Sequence, residues 1–427
     1  MNIYFSGIGG VGIGPLAELA FDAGYDIQGS DQQTSAQVES LLGRGVAVQF
    51  DQTGSFLRRC HQSQPIDWFV YTAALPDDHP ELVIARQLGI KTAKRDELLV
   101  AILRDKQLKL IAISGTHGKT TTTGMMIWTL QNLGIPISYS VGSSISFGPS
   151  GKYDPASEYF IYECDEFDRN FLHFDPYLSL ITVIDYDHSD TYPSQADYNQ
   201  AFQDFITKSA QTIGWVRGIS AVADLPYSTW ALQDDESVDI ALAGAHNRRN
   251  ATLVLKAIEY LGQESELFAG KQEASAQILA DFPGTSRRFE KLGQNLFSDY
   301  GHHPTEIKAT LQLASEVSDN ITLVYQPHQN VRQHEIVDQY TDCFELASYI
   351  YWLPTYLTRE NPDLDVLAPQ RLTSQMTNLD HVRFVELDNN LWDIITTARK
   401  RGSLVLLMGA GTIDNWARQK LAEEIKA

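Results

Sequence analysis

Three short stretches of this chain combine residue types and spacings that could do chemistry. The first is ISGTHGKTTTTG, Ile113 to Gly124, entered from the apolar run LKLIAISG and left through the helix-like run TTTTGMMIWTLQNLG. Backbone amides at such a strand-to-helix turn, with a helix dipole behind them, cradle phosphate oxygens. The phosphate ligands would be Gly115, Thr116, His117, Gly118, Lys119, Thr120 and Thr121, with Lys119 on the β- and γ-phosphates and Thr120 on a magnesium ion. The common form of this loop has a glycine where Ile113 stands, and the nearest preceding glycine is Gly115, so the loop is a shortened one.

The second stretch is a pair of acidic strand ends. In ECDEF, Glu163 closes an apolar run and Asp165, Glu166 and Asp168 follow; in IDYDHSD, Asp187 and His188 close the next. Carboxylates with one imidazole suit Mg²⁺ or Mn²⁺ bridging phosphates, whereas zinc would call for more His or Cys. The third stretch is GIGGVG, which fits G-x-G-x-x-G at a strand-to-helix turn and is followed at the end of the next strand by Asp31, a residue placed to hold a ribose hydroxyl. That pattern alone leaves NAD, FAD and a UDP-sugar open as ligands.

Elements able to position these groups are legible around them. NIYFSGI, YDIQGSD and DWFVYT read as strands separated by helical stretches such as GPLAELAFDAG; LKLIAISG, YFIYECD and LSLITVID form a second series; LFSDYG, NITLVYQP, YIYWLP, RFVEL and SLVLLMGAG form a third. The Pro/Gly-punctuated DFPGTSRRF reads as a linker after the helical HNRRNATLVLKAIEYLG. The expected fold class is α/β in three domains, residues 1–105, 106–284 and 285–427, the central one of phosphate-loop ATPase type and the outer two Rossmann-like.

Composition bounds the function. With 427 residues, 43% of them hydrophobic and 20% charged, the chain can build several cores. A formal net charge of −21 repels a nucleic-acid backbone, so no nucleic-acid partner is expected, and an anionic small substrate must be received by local positive features. No apolar run is long enough to span a bilayer and no secretory leader is evident, so no membrane partner is expected. Cys60, Cys164 and Cys343 lack metal or disulfide-framework spacing, which fits a cytoplasmic protein. Nothing in the sequence sets an oligomeric state.

GTHGKT, GAHNRRN, GTSRRF, DYGHHPTE, QPH and GAGT, strung in this order, resemble the ATP-dependent Mur ligases over essentially the whole chain, DYGHHPTE being the most specific piece. The short G-T-x-G-K-T loop is that family's form. Within the family the resemblance is to members that join L-alanine to UDP-N-acetylmuramate. It implies ATP and Mg²⁺ (or Mn²⁺) as cofactors, Thr120, Glu163 and His188 as metal ligands, and Lys119, Glu163 and His188 as the catalytic groups. It further implies His246, Asn247 and Asn250 about the adenine, and Arg288 and Asp299 against the nucleotide. The paired histidines His302 and His303 belong to the same pattern. Gly7, Gly9, Gly10, Gly12 and Asp31 would hold the UDP-sugar, with Thr72 and Ala73 lining that cleft, and His328 and Arg332 would hold the amino acid.

The chain departs from the family pattern at three places. Val183, Ile184 and Asp185 stand where Asn-Ile-Asp is usual, the segment between Tyr192 and His246 is short, and QPH is followed by Gln329, Asn330, Val331 and Arg332 rather than Arg-Tyr-Thr-Arg. Rival readings are a ligase for another amino acid or a recycled tripeptide, an NAD-dependent dehydrogenase using GIGGVG, and a nucleotide-binding relative without activity.

Overall fold

The computed structural model describes every residue except Val11, Ala73, Ala74, Ser189, Asp190, Arg359 and Ala427, and for Ala36, Ile425 and Lys426 it describes the backbone only. The chain is mixed α/β and carries three sheets in sequence order. Of the site residues read from the sequence, Ala73 lies outside the described residues, as does Arg359 of YLTRE, a second arginine the sequence offers for the amino-acid carboxylate.

The first sheet contains β1 (Asn2–Ser6), β2 (Asp26–Ser30), β3 (Ala47–Gln49), β4 (Trp68–Tyr71) and β5 (Lys91–Ala93), in the order β3-β2-β1-β4-β5. All neighbours are parallel. Every residue of β1 is buried, as a strand covered on both faces requires. Strand order reverses between β1 and β4, and ligands of such sheets enter the crevice beyond the carboxyl ends at that switch. Gly7 follows β1 and Thr72 follows β4, so both stand at that place.

The second sheet contains β6 (Lys109–Ser114), β7 (Ser138–Ser140), β8 (Gly151–Lys152), β9 (Tyr159–Glu163), β10 (Leu178–Ile181), β11 (Thr212–Trp215) and β12 (Thr229–Leu232). Its order is β12-β11-β10-β6-β9-β7-β8, parallel but for the β7–β8 pair. The phosphate-loop strand β6 therefore lies between β9 and β10, and the two acidic segments end on either side of it. One buried apolar cluster includes Ile3 and Leu16 of the first sheet's layer and Phe160, Phe171 and Phe202 of the second.

The third sheet contains β13 (Glu290–Gly293), β14 (Leu296–Asp299), β15 (Ile321–Tyr325), β16 (Tyr349–Trp352), β17 (Val382–Phe384) and β18 (Leu404–Met408), in the order β13-β14-β18-β15-β16-β17. Only β13 runs antiparallel, as a hairpin edge. Its sequence EKLG carries no apolar run, and so nothing in the pattern announced it.

The chain divides into two compact units: residues 1–238 with 250–282, and residues 239–249 with 283–427. The DFPGTSRRF segment holds the last of the three cuts, between Phe282 and Pro283. The middle cut, between Arg249 and Asn250, falls inside the helix Ala245–Glu264, whose first turn belongs with the third sheet and whose remainder belongs with the second.

Candidate active site

The loop between β6 and the helix Lys119–Asn132 is shaped by two glycines with positive φ, Gly115 at 128° and Gly118 at 84°. A Cβ on Gly115 would stand 2.3 Å from Thr182 Oγ1 and 2.8 Å from the Val183 carbonyl oxygen, so no side chain fits. Thr116 N–H donates to the Val183 carbonyl at 2.8 Å, and Thr182 Oγ1 donates to the His117 carbonyl at 2.5 Å. Anchoring at Val183 is thus by backbone, which a valine supplies as well as an asparagine. Asn250 packs over Gly118, its Oδ1 3.2 Å from where a Cβ would be. His117 Nε2 is 3.6 Å from Asp185 Oδ2.

Lys119 opens the helix and turns its ammonium inward. Nζ donates to the Gly115 carbonyl at 2.6 Å, the Thr116 carbonyl at 3.2 Å and Glu166 Oε2 at 2.7 Å. Burial opposes its charge, but Glu166, Asp165 and Glu163 outweigh burial and hold the amine above the ordinary lysine range. Glu166 is fully buried, and burial raises its carboxyl against the pull of Lys119. Tyr198 Oη lies 3.3 Å from Glu166 Oε1, and Tyr192 donates to the Glu166 carbonyl at 2.5 Å. Burial and the Glu166 charge push both phenols up, so they stay protonated donors.

Thr120 Oγ1 donates to Glu163 Oε1 at 2.7 Å, and Glu163 Oε2 accepts from Gly142 N–H at 2.8 Å. His188, with φ at 59°, lies instead beside Glu166 and Asp187, its Nε2 3.8 Å and 3.9 Å from their carboxylates. Ligand atoms of Asp165, Glu166 and His188 lie within 4.8 Å of one another. Thr120 with Glu163, and the Asp165–Glu166–His188 group, supply hydroxyl, carboxylate and one imidazole, a donor set that fits a hard divalent cation. The sequence names Glu163 and His188 as metal ligands; Glu163 stands with Thr120, and His188 with Asp165 and Glu166.

At the first sheet, the Gly7–Gly12 turn is closed largely on itself. Gly7 and Ile8 N–H both donate to the Ser30 carbonyl, Gly10 N–H to the Gly7 carbonyl, and Gly9 N–H to Asp31 Oδ2 at 2.8 Å. Gly9 must be glycine here, because a Cβ would stand 2.4 Å from Val38 Cγ2 and 2.6 Å from Ser35 Oγ. Asp31 therefore braces the loop as well as standing where a ribose hydroxyl would come. Beneath it, the fully buried Glu81 accepts from Tyr4, Ser6 and Ser30 hydroxyls at 2.6, 2.7 and 2.7 Å. A cleft of about 520 Å³ opens beside this loop, lined by Gly9, Ser35 and Gln37 and by Gly142, Ser143 and Ser150 from the second sheet.

In the unit of the third sheet, His246 and Asn247 sit on the first turn of the Ala245–Glu264 helix. Burial pushes His246 down to about 4. Asn247 Nδ2 donates to the Ala243 carbonyl at 3.0 Å. Glu316 accepts from Gly244 N–H and from both Arg248 Nη atoms at 2.8–2.9 Å, tying that helix start to the helix Pro304–Val317. Asp299 accepts from Gly301 N–H at 2.7 Å and Phe289 N–H at 2.8 Å; burial, against the pull of Arg288, pushes it up to about 6. Arg288 lies over the Tyr300 ring at 5.2 Å and 3.7 Å from Glu306. His303 caps the helix, Nδ1 accepting from Thr305 N–H, while Glu306 accepts from the His302 and His303 amides. GHHPTE is thus a capping box with Pro304 at its first turn.

His302 turns the other way, into a cluster with His328 and Arg332. Its Nδ1 meets the Tyr300 carbonyl at 3.2 Å, its Nε2 contacts Arg332 Nη1, and its ring lies 5.4 Å from that of His328. Burial pushes His302 down to about 3, which leaves it neutral with the proton on Nδ1 and Nε2 free to accept from Arg332. His328 stacks on Tyr356 at 5.7 Å. Gln329 has φ at 57° and starts the short helix Asn330–Ile336, whose first amides donate to the Glu360 carboxylate at 3.0 and 3.2 Å. Sequence reasoning missed Glu316 and Glu360, which sit far along the chain from the groups they brace, and Tyr198, which looks like core packing in a helix.

This fold and loop define a P-loop nucleotide enzyme built on three α/β sheets. Residues 2–107 match the family model described as Mur ligase family, catalytic domain, and residues 287–411 match Mur ligase, glutamate ligase domain. The chain is 30% identical to UDP-N-acetylmuramate–L-alanine ligase of Agrobacterium fabrum, over 100% of this chain and 97% of that protein. It is 29% identical to the protein of the same name in Sinorhizobium fredii, over 97% of this chain and 95% of the relative. Among solved structures, UDP-N-acetylmuramate-alanine ligase from Thermotoga maritima superposes with a TM-score of 0.74 at 23% identity, covering 100% of this chain and 99% of the other. A murein peptide ligase from Psychrobacter arcticus superposes with a TM-score of 0.63 at 21% identity, over 99% and 98% of the two chains. The chain belongs to the Mur ligase family.

Proposed function

We propose that this protein joins L-alanine to the lactyl carboxylate of UDP-N-acetylmuramate, converting ATP to ADP and phosphate, as a cytoplasmic step of peptidoglycan precursor synthesis. The observation that carries the reading is end-to-end likeness to the Agrobacterium fabrum ligase, 30% identical over the whole chain. We assign residues 1–105 to the UDP-sugar, 106–284 to ATP and 285–427 to the amino acid.

A carboxylate is a poor acylating agent. Transfer of the γ-phosphoryl group to the lactyl oxygen makes an acyl phosphate; attack by the L-alanine amine then forms the amide and releases phosphate, the amine losing its proton. Lys119 offsets charge on the transferring group, moving from Glu166 toward the phosphates as they bind. Amides of Gly115 and His117–Thr121 orient the phosphates, and Asn250, packed over Gly118, is placed to contact the nucleotide. A divalent cation held by Thr120 and Glu163, or by His188 with Asp165 and Glu166, would supply electrostatic neutralisation of the phosphates. His246, Asn247, Arg288 and Asp299 are the further residues we assign to the nucleotide, and Arg332 and His328 those we assign to the amino acid.

The test is ADP formation by the purified protein with UDP-N-acetylmuramate and each of L-alanine, glycine, L-serine and the murein tripeptide. Turnover that needs both UDP-N-acetylmuramate and L-alanine is expected. ADP formation with the tripeptide alone, or reduction of NAD without ADP formation, overturns the reading.

A further inference from the structure

Among its described residues, the Gly7–Gly12 turn has few free donors. Amides of Gly7, Ile8, Gly10, Ile13 and Gly14 donate to carbonyls of the same turn or of Ser30, and that of Gly9 donates to Asp31. Among the described residues of the turn, this leaves Gly12 as the amide with no internal acceptor. A glycine turn that binds a diphosphate ordinarily offers several amides at once. This one, in a chain of net charge −21, needs a cation from elsewhere.

Arg95 supplies one. It begins the helix Arg95–Asp105, directly after β5, and its Nη1 stands 3.3 Å from where Gly12 would carry a Cβ. The guanidinium is partly buried, and among the described residues it makes neither a hydrogen bond nor an ion pair within 4.0 Å. Tyr162, Asp165 and Asp96 surround it electrostatically and keep it charged in spite of burial. Its neighbour Lys94 is already engaged, with Asp168 at 2.7 Å. A guanidinium held near carboxylates yet bonded to none among the described residues, beside the free amide of Gly12, has the geometry of an oxyanion fork.

We propose that Arg95 receives the diphosphate of the nucleotide sugar at the Gly12 end of the turn. This rests on the assignment of the first sheet to the UDP-sugar. Arg95 thereby fixes the diphosphate at a point whose other neighbour is Asp165, on the acidic segment beside the phosphate loop. It is a binding and positioning residue; no bond is made or broken on it.

Calorimetric titration of UDP-N-acetylmuramate, UDP and uridine into wild type, R95Q and R95K tests this, with AMP-PNP affinity and melting temperature as controls. Loss of charge-assisted hydrogen bonds should weaken UDP and UDP-N-acetylmuramate about ten- to a hundredfold in R95Q, and less in R95K, with uridine and AMP-PNP unchanged. Equal UDP affinity in wild type and R95Q overturns the role of Arg95, as does an equal loss of uridine. If R95Q melts early, R95K decides: it keeps the charge but loses the bidentate fork, and wild-type UDP affinity there overturns the fork. Failure of wild type itself to bind UDP-N-acetylmuramate overturns the reading of the first sheet, and the two failures are told apart by that arm.

Discussion

Glu166 and Lys119 form an ion pair at 2.7 Å in which the carboxylate is fully buried and the ammonium nearly so. The lysine assigned to ATP phosphates is therefore also a structural partner inside the second sheet. Replacing it removes a charge from the reaction and leaves a buried acid behind.

Lys119→Ala should lower turnover by roughly 10² or more, the scale of a lost electrostatic donor. It should also destabilise the protein by roughly 3 kcal/mol, as removal of one partner of a buried pair does. The double variant Lys119→Met with Glu166→Gln separates the two effects. Its melting temperature should return toward wild type while turnover stays low. Recovery of turnover in the double variant would remove Lys119 from the chemistry.

Thr120 and Glu163 share a hydrogen bond at 2.7 Å on the face where phosphates would lie. Thr120→Ala and Glu163→Gln should each raise the Mg²⁺ concentration for half-maximal ADP formation, with little change in the KM for L-alanine. His188→Ala should do the same if its group with Asp165 and Glu166 holds an ion. An unchanged Mg²⁺ requirement in all three variants would place the cation elsewhere.

Acid should destabilise the third sheet's unit. Burial pushes His246 from 6.5 down to about 4 and His302 from 6.5 down to about 3. As pH falls through 6.5 the unfolded chain takes up these protons first, so stability drops until the folded values are reached. Asp299 works oppositely: its folded carboxyl, pushed up from 3.8 to about 6, takes its proton first and regains stability over that window. Two histidines against one carboxyl leave a net loss of roughly 2–3 kcal/mol between pH 7 and pH 5. Urea midpoints at the two pH values check it, and His246→Gln should remove about 2 kcal/mol of the difference. A midpoint that rises on acidification would show that Asp299 dominates.

The layout of the phosphate loop was legible in the sequence because a strand, a glycine turn and a helix are contiguous there. Gly115 to Thr120 needs only local spacing to be seen, and β9 and β10 flank β6 as parallel sheets tend to arrange them. What stayed hidden depends on contacts far apart in the chain. Glu166 reads as one acid among several in ECDEFD until its burial beside Lys119 and Tyr198 is known. DYGHHPTE was legible as a motif, but not its division of labour, with His303 facing its own helix start and His302 facing Arg332. Arg95 belongs to no motif in the sequence, and only the fold brings it to Gly12.

The residues assigned to the amino acid give the last prediction, because the chain departs there from the family pattern. An α-carboxylate buried in a site needs charge-assisted donors, and Gln329 offers only a neutral amide where the family pattern has arginine. Arg332 keeps its charge and is held by His302, whose Nε2 faces Arg332 Nη1 while Nδ1 is turned to the Tyr300 carbonyl. Protonation of His302 would turn that acceptor into a donor and push Arg332 away, but burial holds its value down to about 3. The L-alanine KM should therefore stay flat as pH falls from 7 to 5. Arg332→Ala should raise that KM at least tenfold, with the KM values for ATP and UDP-N-acetylmuramate little changed. His302→Ala should raise it less, by loosening Arg332 without removing the charge. Gln329→Arg should lower it, by up to the 1.5–3 kcal/mol or so of a hydrogen bond to a charged group. Steady-state kinetics with L-alanine varied at saturating ATP and UDP-N-acetylmuramate decide the matter: a wild-type L-alanine KM in Arg332→Ala means the carboxylate is held by another residue, and Arg359 is then the next to replace.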